Sequence, residues 1–172
     1  MKLKKYLPSL VCGFSAGVLQ VVPLVKSFSC CLILPLAAFV ALILEQKSTN
    51  NFNIISAKKA VMIGLFTGLF AALFGSFFEI LITFITKQND IIITFPELQK
   101  MVGNFPVTED IKKEVLLLFQ NVRNDILTTG FSWLYTFSLV VNDFFIDILF
   151  GIAGGLIGSQ IINKRINNSK YN

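Results

Sequence analysis

The chain has no histidine, one tryptophan and three cysteines, and charged side chains make up only 15% of its 172 residues. Without histidine it lacks the commonest general base, the usual haem ligand and the usual zinc ligand. A soluble domain carries about 25% charged residues. The scarcity of charge therefore excludes a water-soluble globule, and the apolar composition excludes a disordered tail and a disulfide-rich secreted domain. Cys12, Cys30 and Cys31 lie inside or beside apolar segments, with no CxxC spacing. They read as small packed thiols. No G-x-S-x-G, phosphate-binding loop or H-E-x-x-H occurs. The chain is thus expected not to be an enzyme, with no catalytic residue, metal ligand or cofactor.

What is abundant is apolar: 54% of residues are hydrophobic, 18 of them phenylalanine, and the mean hydropathy is +0.71. Crossing about 30 Å of hydrocarbon takes roughly 20 apolar residues in a helix. Four stretches qualify, at about 7–24, 28–44, 60–85 and 129–162. The expected fold is all-α, one membrane domain of four transmembrane helices. The positive N-terminus, Met1-Lys2-Leu3-Lys4-Lys5, looks like the start of a signal peptide. No convincing A-x-A cleavage site follows, so the first apolar stretch reads as a retained helix. The fourth stretch is longer than a crossing needs; the first reading is one long helix, the second a break near Asn142-Asp143.

Residues 86–128 differ, with eleven charges, two prolines and no spanning run. A short helix is expected to open at Phe95-Pro96-Glu97-Leu98 and end near Gly103. A second is expected after Thr108, with Glu109 and Asp110 in its first turn. Ile111, Val115, Leu118, Phe119, Val122 and Ile126 line one face of it. This amphipathic segment between helices three and four either lies on the membrane surface or packs on the bundle. Phe131, Trp133 and Tyr135 fit an outer aromatic belt.

The net charge of +5 comes from basic residues at the edges of the apolar runs, so no nucleic-acid partner is expected. Lys2, Lys4 and Lys5 precede the first run, Lys47, Lys58 and Lys59 lie between the second and third, and Lys164, Arg165 and Lys170 follow the fourth. Four spans put these clusters on one side. The positive-inside rule makes that side cytoplasmic, with both termini inside and residues 86–128 outside.

Small residues recur every four positions: Gly13 with Gly17, Gly64 with Gly68, Gly151 with Gly155, and Gly154 with Gly158. In lipid, such stripes let helix backbones approach closely. They serve packing within the chain or the docking of other membrane subunits or a second copy. Ionisable residues in apolar runs are functional hypotheses by default. Glu79 lies about 30 Å along its helix from Lys59, and Asp147 about 25 Å from Lys164. Both counts, and Asp143 one turn further, place them near the outer interface. Lys26 in the outer turn is their candidate partner. The cluster reads as an interfacial polar belt or as a cation- or proton-binding site.

The order of Cys30-Cys31, Pro35, a short basic loop, Ala60 to Gly68, an amphipathic outer segment and Gly154-Gly155-Leu156-Ile157-Gly158 with a basic tail resembles small uncharacterised bacterial four-helix integral membrane proteins of the domain-of-unknown-function type. That resemblance implies the fold and the membrane location, and no activity. The function expected is that of a non-enzymatic structural or accessory subunit associating through its small-residue faces. The alternative is a small transporter or channel component using the outer acidic cluster.

Overall fold

The computed structural model describes residues 6–26 and 28–170; Lys2, Lys4 and Lys5 lie outside them, as do the side chains of Cys30 and Lys170. The chain is helical, with no strand among the described residues. In order come α1 (Leu7–Gln20), α2 (Pro23–Lys26), a π-helical turn (Ser29–Ile33), α3 (Leu34–Thr49), α4 (Ala57–Thr86), α5 (Asp90–Asn104), α6 (Glu109–Thr129) and α7 (Trp133–Lys170). Cys31–Thr49, Ala57–Thr86 and Trp133–Asn168 are long and apolar enough to cross a membrane.

The first expected span falls short. α1 has 14 residues, about 21 Å of rise. Proline at position 23 disfavours the helical conformation at Val22, so the chain breaks there and restarts as α2. The second span begins as a π turn, because Pro35 offers no N–H to the preceding carbonyls and the ladder widens around it. It then continues past Leu44 to Thr49, where Asn50 ends it in the left-handed region (φ 49°). The fourth stretch is one helix of 38 residues, continuous through Asn142 and Asp143. It starts later than residue 129 because Gly130, at φ 79°, terminates α6 first.

Two compact units make up the chain: Met1–Phe78 with Val140–Asn172, and Glu79–Leu139. The first is a bundle of α1, α3, most of α4 and most of α7. Glycine sets its spacing. A Cβ on Gly13 would lie 2.7 Å from the Thr67 carbonyl oxygen, and one on Gly17 2.8 Å from the Gly75 nitrogen, so α1 rests on α4. A Cβ on Gly151 would lie 2.5 Å from the Gly64 oxygen, and one on Gly155 2.5 Å from the Ala60 oxygen, so α7 rests antiparallel on α4. Gly154 and Gly158 seat α3 at Pro35 and Phe39. The connection before α4 is held to α7 by both ends of one amide: Asn163 Oδ1 accepts from Ile55 N–H (2.8 Å) and Nδ2 donates to the Ile55 carbonyl (2.9 Å).

The second unit joins the end of α4, α5, α6 and the start of α7. α5 begins at Asp90, five residues before the expected Phe95, because Asn89 caps it: Oδ1 accepts from Ile92 N–H at 3.0 Å. Pro96 therefore falls inside the helix. Thr108 stands at the α6 N-cap as expected, but its side chain makes no capping bond. The Arg123 guanidinium on α6 lies 5.2 Å from the centre of the Phe95 ring on α5.

Candidate functional site

In the first unit, apolar helices must bury whatever polar groups they carry, and a buried polar group needs a partner. Asp147 on α7 is 4% exposed. It accepts a 2.8 Å hydrogen bond from the Gln20 amide at the end of α1. One turn earlier, Asp143 accepts from the Ser76 hydroxyl on α4, also at 2.8 Å. The two carboxylates share a helix face and bind two different helices. Ser9 on α1 donates to the Ile63 carbonyl at 3.3 Å. Glu45, 3% exposed on α3, forms an ion pair of 2.6 Å with Lys59 on α4. A cavity of about 360 Å³ adjoins that pair, lined by Tyr6, Ser56, Lys58 and Met62 among others.

The depth assigned to Asp147 from residue counting needs correction. Its carbonyl packs on Gly68, the twelfth residue of α4. Gly68 is nine residues past Lys59, about 13 Å. Asp147 is therefore level with the interior of α4 and not with its far end. The error came from measuring along α7 from Lys164. Asn163 already pairs with Ile55, before α4 begins, so the last turns of α7 overhang the bundle.

Glu79 belongs to the second unit, where it accepts from the Tyr135 hydroxyl at 3.0 Å. Of the expected cluster, Asp143 bonds Ser76 and Asp147 bonds Gln20 within the first unit, and Glu79 bonds Tyr135 within the second. Lys26 closes the short helix α2. The eight expected packing glycines all lie in the first unit, each against another of its helices. Trp133 and Phe131 are exposed.

Sequence reasoning missed Gly75, where a Cβ would strike Gln20, and Gln20 itself. It also missed the Glu45–Lys59 pair, since Glu45 lies just beyond the expected second span, 28–44. A signal for that pair existed: an acidic residue and a basic one flank a short connection between two apolar helices. Nothing flagged Asn89, which is 8% exposed and caps α5.

Among the described residues no group of three His, Cys, Asp or Glu is placed to hold a metal ion. Cys12 is a buried thiol and Cys31 is exposed. In comparisons with known proteins, no family model matches the chain, and no curated protein or solved structure matches it.

Proposed function

We propose that the chain is a non-enzymatic integral membrane protein of structural or accessory type. In this reading four segments cross a bacterial inner membrane, with α1, α2 and the intervening residues together making the first crossing. Both termini are cytoplasmic and α5–α6 lie outside. The resemblance to small uncharacterised four-helix membrane proteins agrees with it. The observation that carries the reading is that the first unit's glycines and buried polar groups are engaged with its own helices. A bundle fastened this way is an anchor. Association with other subunits then falls to its outward surfaces and not to the glycine stripes.

The test is native mass spectrometry of the full chain extracted gently from its own membranes, beside a C-terminal reporter for topology. Defined co-eluting polypeptides at fixed stoichiometry and an internal C-terminus support the reading. A partnerless chain or an external C-terminus would overturn it.

One observation favours a second reading, a small transporter or channel component: Asp147 sits beside Gly68, well inside the apolar stretch. Transporters place coupling residues near the midplane. Cation flux into vesicles holding the purified chain, lost on Asp143→Asn with Asp147→Asn, would establish it. Unchanged flux in that double variant would remove it.

A further inference from the structure

The cavity of about 360 Å³ beside the Glu45–Lys59 pair is within the size range of ligand sites. Charge sorts its lining. Glu45 and Lys59 neutralise each other at 2.6 Å. Lys58 also lines the cavity, so two lysines against one carboxylate leave one positive charge. Among the described residues Lys58 makes no ion pair and no side-chain hydrogen bond. Its position sharpens the imbalance. Lys58 stands in the first turn of α4, which contains no acidic residue, and the N-terminal end of a helix favours anions over cations. The Ser56 hydroxyl, also in the lining, accepts from Lys59 N–H at 3.4 Å and keeps its own O–H to donate. An unanswered cation beside a hydroxyl donor suits an anion with several acceptor oxygens.

The rest of the lining says what that anion is attached to. Met62 and Ile63 are apolar, and Tyr6 contributes a hydroxyl and a ring packed on Phe66. Met62 is four residues past Lys58 and shares its helix face. Charge and apolar surface thus follow one another along α4. The 30 residues of α4 rise about 45 Å, against about 30 Å of hydrocarbon. A crossing helix of that length stands with its first turn in the headgroup layer, where phosphate gives way to acyl chains. We propose that this cavity binds the headgroup of an anionic phospholipid. The phosphate oxygens accept from Lys58 Nζ and the Ser56 hydroxyl, and the chains leave past Met62. The inference rests on the reading above that α4 crosses the bilayer.

The test uses the full chain purified in dodecyl maltoside, with phosphatidylglycerol as probe and native mass spectrometry as readout. One phosphatidylglycerol is expected to be retained per chain, about fivefold better than phosphatidylcholine, and Lys58→Met is expected to remove that preference. Lys58→Arg keeps the charge and is expected to keep the lipid. Lys164→Met removes a charge outside the cavity and is expected to change retention by less than about twofold. Thermal melting of each variant separates lost binding from lost folding. Equal retention of phosphatidylcholine, wild-type retention by folded Lys58→Met, an equal loss in Lys164→Met, or no retained lipid would overturn the proposal. Displacement of the lipid by inorganic phosphate would assign the cavity to the free ion and overturn the lipid source. The membrane reading fails separately, by release of the chain from membranes in alkaline carbonate.

Discussion

The two units solve opposite packing problems. In the first, helices meet through glycine, and side chains as small as a methyl group have no room at the contacts. Its buried carboxylates, Glu45 and Asp147, are each paired across helices. In the second, contacts run through long side chains: an arginine over a phenylalanine ring, Lys87 Nζ donating to the Thr128 carbonyl at 2.7 Å, a tyrosine hydroxyl on a glutamate. Much of its apolar surface stays open, including Ile93, Met101, Leu117 and Leu118. The lesson is that backbone-close packing leaves no slack for substitution, while side-chain packing tolerates change.

The sharpest way to break this contrast is Lys59→Met. It strands the Glu45 carboxylate, and removing one partner of a buried pair costs about 3–5 kcal/mol. Unfolding in mixed detergent micelles should show that loss, and Lys59→Met with Glu45→Gln should recover most of it. No loss in the single variant would mean that the pair is solvated. Gly151→Ala comes next: its methyl group meets the Gly64 carbonyl, and overpacking of this kind costs about 1–3 kcal/mol. The same titration reads it, and an unchanged midpoint would show that α4 and α7 separate freely. In the second unit, Asn89→Ala removes the α5 cap and should cost about 1 kcal/mol, read as faster amide exchange in residues 90–93. Smallest of all, Leu117→Ser at a 56% exposed position should stay within about 0.5 kcal/mol in the same unfolding titration. A larger loss there would place Leu117 in a contact and erase the contrast.

The sequence made some of this plain and hid the rest for physical reasons. A glycine stripe has one use in a helix that must approach another, so all eight packing positions could be read from spacing, although not which helix each would meet. Helix ends were harder. Pro23 and Pro35 are visible, but whether a proline breaks, caps or widens a helix depends on the surrounding hydrogen bonds. Asn89 begins α5 five residues before Phe95 through a local cap to Ile92 N–H, a signal that Asn before an apolar run does carry. The depth of Asp147 was misread because distance along a helix equals depth only when the reference residue lies level with the bundle's end, and Lys164 does not. Gln20 looked like an ordinary polar residue at the end of an apolar run, and its role appears only once Asp147 is opposite.

The pairing of Gly68 with Asp147 also has a consequence in time. The two positions are 79 residues apart, and chains are synthesised at about 5–20 residues per second. For roughly 4–16 seconds α4 exists without the helix that covers its glycine face. Most of the residues made in that interval, Glu79–Leu139, are those of the second unit. α7 is the helix on which both α3 and α4 rest, so the bundle closes only once α7 has emerged, and a ribosome that stalls before Gly151 leaves the facing surfaces of α3 and α4 unfilled.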